Sequence, residues 1–264
     1  MSAVALTIAG SDSSGGAGIQ ADLKTFAALG VYGASVITAL TAQNTEGVRA
    51  IHAAPADFIT AQLDAVFADL TIAAVKIGML GNAAAVAAID AGLERHHARN
   101  VVLDPVMIAS SGERLLEPDA VDRLRKLMAR AQLLTPNLPE AAALLDSAPA
   151  RDEAAMRAQA EKLLRLGAGA VLIKGGHGSG PESVDLLVDA AGCTRYAAPR
   201  LTTRNTHGTG CTLASAIAAG LAKGLPLRDA VRDAKDYVSA AIAAADRLAV
   251  GSGRGPLHHF YRWW

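Results

Sequence analysis

From one end of the chain to the other, short apolar runs alternate with amphipathic stretches at helical spacing. This alternation restricts the fold more than any single motif does. Strands are predicted at Ala3–Ala9, Ala34–Thr41, Ala73–Ile77, Val101–Leu103, Leu133–Thr135 and Ala170–Ile173. Helices are predicted between and after them at Ile19–Leu29, Pro55–Leu70, Ala83–His97, Asp119–Ala131, Pro139–Leu145, Glu153–Leu166, Thr209–Ala222 and Leu227–Asp246. Val184–Val188 and Thr194–Ala198 read as an antiparallel pair. Strands that alternate with helices build βαβ units, whose crossovers demand a mainly parallel sheet covered on both faces. No Pro- or Ser-rich linker, repeat or shift in composition interrupts the pattern, so residues 1–264 are expected to form one domain.

Composition narrows the functional classes. Hydrophobic residues make up 51%, enough for a large core, which excludes global disorder. The 25 basic residues are balanced by 25 acidic ones and aromatics are only 4%, a poor match to a nucleic-acid surface. Two cysteines, Cys193 and Cys211, give neither a disulfide scaffold nor zinc-ligand spacing and suit a reducing compartment. The apolar start has no basic region before it and reads as a strand, and no 18-residue apolar run is free of polar breaks. The expectation is a cytoplasmic protein with no membrane partner.

In open α/β sheets ligands gather beyond the carboxyl ends of the strands. Polar motifs fall at those ends here: Gly10-Ser11-Asp12, Gln43-Asn44, Asp104-Pro105, Pro136-Asn137 and Lys174-Gly175-Gly176. The strongest is His207-Gly208-Thr209-Gly210-Cys211-Thr212, which runs into an Ala-rich helix. Backbone amides at such a helix start favour an anion, and Cys211 in the first turn is expected to be stabilised as thiolate. The same residues also suit a glycine-rich cap with Cys211 as a small buried hydrophobe. The glycine cluster 11–18 follows a strand and opens a helix, but matches neither G-x-G-x-x-G nor a G-K-[ST] loop. It can equally be a tight turn, and Asp22 beyond it can face solvent or a pocket. Gln43 offers an acceptor and two donors, suited to a ring nitrogen beside an amino group, or to the backbone at a strand end. Asp104 and Glu140 could serve Mg²⁺, or be a turn Asp and a first-turn acid. Lys174 could neutralise a phosphate or lie on the surface. His96-His97 and His258-His259 lack metal-pair spacing and read as structural or surface; the closing segment Phe260–Trp264, which holds both tryptophans, reads as packing of the terminus in preference to a subunit contact.

Taken together, AGSDSSGGAGIQADLKTFAALGVYG (9–33), VITALTAQNT (36–45), KIGML (76–80), VVLDPVM (101–107), LLTPNLPEAAALL (133–145), VLIKGGH (171–177) and NTHGTGCTLASAIAAGLAKG (205–224) resemble the hydroxymethylpyrimidine/phosphomethylpyrimidine kinases of thiamine biosynthesis. The resemblance runs essentially end to end. It implies a ribokinase-like αβα sandwich with a mainly parallel sheet and a small extra-strand flap. It implies ATP and Mg²⁺, two successive phosphorylations of an aminopyrimidine, and a homodimer. Gly208, Gly210 and Cys211 correspond to the anion hole and base. Gln43, Asp22, Gly10, Met79 and Val106 correspond to the pyrimidine pocket. Lys174, Asn137 and Thr209 correspond to the nucleotide side, and Asp104 and Glu140 to the metal side. The family often has Pro where Ser13 stands, which is expected to loosen that loop. Two other readings are a pyridoxal or pyridoxine kinase, against which Gln43 argues, and a non-catalytic binder, against which the intact Gly208–Cys211 and Glu140 set argues.

Overall fold

The computed structural model describes residues 2–109, 112–176 and 180–264. Among them nine strands form one sheet in the order β3-β2-β1-β4-β5-β6-β7-β8-β9. The strands are β1 Val4–Asp12, β2 Tyr32–Asn44, β3 Gly47–Ala53, β4 Ala74–Ile77, β5 Val101–Leu103, β6 Leu133–Leu134, β7 Val171–Lys174, β8 Glu182–Asp189 and β9 Gly192–Pro199. From β2 to β7 neighbours run parallel, and β3, β8 and β9 add antiparallel edges.

Because side chains alternate along a strand, each central strand feeds two cores. Leu6, Ile8, Val75, Ile77, Val101, Leu103, Val171 and Ile173 pack into the core beneath α2 (Ala56–Asp69), α3 (Ala83–Arg95), α4 (Val121–Leu127), α5 (Leu138–Leu144) and α6 (Glu153–Arg165). Ala5, Ala74, Val102 and Leu172 face the opposite core, with residues of α1 (Gly18–Ala28), α7 (Thr209–Ala222) and α8 (Leu227–Ala243). The result is the αβα sandwich with a mainly parallel sheet that the sequence pattern demands.

Three details depart from the expectations. Strand β3 has no counterpart among the predicted strands, because Gly47–Ala53 is largely exposed and carries no alternation of burial. It forms by hairpin pairing with an extended β2, and the Asn44 side chain accepts the turn amides of Glu46 (2.9 Å) and Gly47 (3.2 Å). The helix expected over 119–131 is broken into a 3-10 turn at Pro118–Ala120, α4, and a second turn at Met128–Arg130. Trp263 and Trp264 do not pack the terminus into the core: each is 70% exposed, and Trp264 only tilts against His258. His258 and His259 are themselves buried, and His96 bonds Asp64 and stacks on Phe67, so both pairs are structural. Burial holds His259 near pKa 4, hence neutral, where its Nε2 lies 3.0 Å from the Thr212 hydroxyl.

Candidate active site

The carboxyl ends of the parallel strands open into a cleft of about 1270 Å³. Its lining includes Gly10, Gln43, Met79 and Val106 together with Asn137, Glu140, Asp104, Lys174 and Gly208–Cys211. Twelve positions singled out from sequence thus converge on one cavity, though Gly10 and Cys211 lie 201 residues apart in the chain. The convergence follows from the parallel topology, which returns every strand end to the same edge.

Asp22 is the exception, and the pocket assignment is corrected. It projects from α1 into the second core and is fully buried. Its Oδ2 accepts from the Thr7 hydroxyl (2.6 Å) and Lys76 Nζ (2.8 Å), and its Oδ1 accepts from the Ser215 hydroxyl (2.6 Å). Thr7 and Lys76 share the strand parity of Ala5 and Ala74, so they meet α1 and α7 where apolar side chains would otherwise stand. Burial works against the Lys76 charge, but Asp22, with Cys211 and Asp104 adding to it, raises the ammonium above its ordinary range.

Helix α7 begins at Gly208, which adopts φ 81° and offers no side-chain cap. A Cβ there would lie 1.9 Å from the carbonyl oxygen of Gly16, so only glycine lets this turn pack on the first loop. The first-turn amides and the positive end of the helix dipole therefore face the cleft. Cys211 sits in that turn, but its expected thiolate character is overturned. Burial pushes the thiol up to about 11, and although Lys76 and the Gly18 amide favour the thiolate, Asp22 and Asp104 oppose it. The helix start is outweighed by desolvation of the sulfur, with the charges of Asp22 and Asp104 adding to it. At neutral pH the resting group is a thiol.

Beside this turn stands a charge cluster. Lys174 Nζ donates to Asp104 Oδ1 at 2.6 Å and stands 4.0 Å from Glu140 Oε2. Lys174 is thus a largely buried cation, not a surface one; burial works against its charge, but Asp104 and Glu140 together raise the ammonium above its ordinary range. A Cβ on Gly210 would come within 3.2 Å of Lys174 Nζ, which places the ammonium against the first turn of α7. Asn137 and Glu140 form a reciprocal cap at the start of α5, with the Asn137 side chain accepting from the Glu140 amide and Glu140 from the Asn137 amide. Burial lifts Glu140 to about 7, with Lys174 opposing and Asp104 adding to the rise. With Glu140 ionised, two buried carboxylates against one ammonium leave an excess of negative charge with oxygen-only donors. That suits a hard divalent cation carrying water and phosphate oxygens. Among the described residues no group of three His, Cys, Asp or Glu could hold a metal by itself.

Two residues that the sequence analysis left unassigned also belong to the site. Asp12 and His207 line the cleft and contact each other, Asp12 Oδ2 to His207 Nε2 at 2.8 Å. Their signal was present, since each adjoins a glycine cluster, but a contact across 195 residues is invisible to local pattern. Ser13 behaves contrary to expectation. Its hydroxyl donates to the Gln43 carbonyl (2.8 Å) and accepts the Gln43 amide (2.9 Å), so it ties the loop to β2 instead of loosening it.

A parallel sheet of this order, with an open helix start beside a lysine and two carboxylates in a cleft at the strand ends, defines a phosphotransferase of the ribokinase-like class. The family model described as "Phosphomethylpyrimidine kinase" matches residues 12–258, and the chain belongs to that family. It is 61% identical to the hydroxymethylpyrimidine/phosphomethylpyrimidine kinase of Rhizobium meliloti over 100% of this chain and 99% of that protein. It is 56% identical to the protein of the same name from Salmonella typhimurium, over 98% of each. Among solved structures, phosphomethylpyrimidine kinase from Clostridium difficile superposes with TM-score 0.81 at 45% identity, over 90% of this chain and 99% of that one. Pyridoxal kinase from Staphylococcus aureus, in complex with AMP-PCP and pyridoxal, superposes with TM-score 0.91 at 32% identity, over 100% of this chain and 95% of that one.

Proposed function

We propose that residues 1–264 form one kinase domain that transfers the γ-phosphoryl group of ATP to 4-amino-5-hydroxymethyl-2-methylpyrimidine, and then phosphorylates the monophosphate to the diphosphate for thiamine biosynthesis. The observation that carries this reading is the opening of Gln43 and the Gly208–Cys211 turn into the same cleft. One binds an aminopyrimidine edge and the other an anion. Gly10 and Met79 pack together beside Gln43, the Cβ position of Gly10 lying 3.0 Å from Met79 Sδ, and with Val106 they form an apolar slot for the ring.

In the first step the substrate hydroxyl oxygen attacks the γ-phosphorus, the bond to the ADP oxygen breaks, and the hydroxyl proton leaves. Amides 208–211 and Lys174 hold the charge of the transferring group, which is the dominant contribution in a loose phosphoryl transition state. Cys211 accepts that proton as a thiolate, its own proton having first passed to solvent. In the second step the nucleophile is a phosphate oxygen that is already ionised, so the sulfur is not needed as a base. Asp104 and Glu140 are the residues that would hold Mg²⁺, which supplies charge neutralisation of the nucleotide phosphates. Asn137 and Thr209 complete the nucleotide side. We place the protein in the cytoplasm as a homodimer. Among the described residues no helix is long and apolar enough to cross a membrane.

Product analysis by mass spectrometry after incubation with ATP, Mg²⁺, hydroxymethylpyrimidine and pyridoxal tests the assignment. Mono- and diphosphorylated pyrimidine are expected; pyridoxal phosphate alone would overturn it.

A further inference from the structure

The hydrogen-bond balance around Gln43 specifies how its amide must lie. Asp12 accepts the amides of Ser14 (2.8 Å), Gly16 (3.1 Å) and Ala17 (2.8 Å), and the Ser14 hydroxyl (2.7 Å). Burial alone would favour the neutral acid, but His207 and these donors hold Asp12 down to about 2. As a carboxylate it can only accept, so His207 Nε2, 2.8 Å away, carries a proton and donates it. The same Nε2 lies 3.4 Å from Gln43 Nε2, which sets one donor against another.

At the other end of the amide the same conflict recurs with opposite sign. The Thr41 hydroxyl has a single proton. It lies 2.9 Å from the Ser11 carbonyl oxygen, which can only accept, and 3.0 Å from Gln43 Oε1, which can only accept. With its proton on Ser11, the hydroxyl faces Gln43 with lone pairs. Exchanging the amide oxygen and nitrogen resolves both conflicts at once. The nitrogen then donates to Thr41, and the oxygen takes a second share of the His207 proton.

We propose that His207 and Thr41 are specificity-determining residues that lock Gln43 with its oxygen toward His207 and its nitrogen toward Thr41. One amide proton and one oxygen lone pair remain for the cleft, in a fixed order. Resting on the aminopyrimidine reading above, this order orients the ring: its nitrogen acceptor lies on the Thr41 side and its amino group on the His207 side, next to the start of α7. The residues act through Gln43 and not on the reacting atoms. A ring crowded at this point also explains Gly16, where a Cβ would lie 2.3 Å from His207 Cδ2.

The amide orientation is read in the ligand-free protein by NMR. Nuclear Overhauser contacts from the Gln43 side-chain NH₂ to the Thr41 side chain are expected; contacts to the His207 ring instead overturn the lock whether or not the protein phosphorylates a pyrimidine. The kinetic arm uses Thr41→Val, nearly isosteric, and His207→Phe, each alone and with Gln43→Ala. Each single variant is expected to raise the aminopyrimidine KM about tenfold, the scale of one lost hydrogen bond, with kcat and the ATP KM little changed. Neither should add anything in the Gln43→Ala background. An equal effect of Thr41→Val with and without Gln43, or a fall in kcat at constant KM, overturns the proposal. A wild-type protein that shows the expected NMR contacts but leaves the aminopyrimidine unphosphorylated overturns the functional reading instead.

Discussion

Replacing Lys76 by Met removes the cation bonded to the fully buried Asp22 carboxylate. Lys76 and Asp22 are both 0% exposed and 2.8 Å apart. Without Lys76, Asp22 keeps two neutral hydroxyl donors and an uncompensated charge. Breaking a buried pair by removing one partner costs about 3–5 kcal/mol, mostly the penalty of the orphaned ion. With a urea slope of about 3 kcal/mol per molar for a chain of this size, a loss near 4 kcal/mol lowers the midpoint by about 1.3 M. Removing both charges, as in Lys76→Met with Asp22→Leu, should restore much of that loss, because neither ion is then stranded. Urea unfolding followed by circular dichroism on the four proteins gives the comparison. Additive losses in the double variant, or a midpoint shift under about 0.3 M in the single one, would refute the reasoning. Because Asp22 lies outside the cleft, Asp22→Asn should leave the pyrimidine KM of the surviving folded protein close to wild type.

The thiol of Cys211, near 11, predicts that the first phosphorylation accelerates about tenfold per pH unit between 7 and 10, as the thiolate fraction grows. The second should stay nearly flat, and Cys211→Ala should slow the first step far more than the second; single-turnover assays on each substrate distinguish the two, and parallel profiles would remove the sulfur from the base role. Glu140, raised to about 7 from 4.5, holds its proton in the folded state across a window where the unfolded chain releases it. Stability without metal should therefore fall as pH rises through 4.5–7, and added Mg²⁺, which favours the carboxylate, should raise Tm more at pH 8 than at pH 5.5 in thermal scans. Gly208→Ala collides with the Gly16 carbonyl and forces an L residue into φ 81°; phosphoryl transfer should drop at least a hundredfold, measured as ADP release, while the urea midpoint moves by less than for Lys76→Met.

What the sequence determined by itself is whatever local physics encodes. The alternation of apolar strands and amphipathic helices required a parallel sheet, and a parallel sheet brings its strand ends to one edge. That is why Gln43, Asp104, Asn137, Lys174 and Gly208–Cys211 could be selected as cleft residues before any coordinates, and why a family resemblance could be read from them. The tertiary structure alone decided what depends on enclosure and on distant partners. Asp22 lies in the core because Lys76, Thr7 and Ser215 meet it there from three other elements. Cys211 is a thiol because burial outweighs the helix start. Strand β3 exists because β2 offers it a ladder, and His207 matters because a chain separation of 195 residues closes to 2.8 Å at Asp12. Desolvation and long-range pairing act through space, and a linear pattern carries no record of which surfaces the fold will press together.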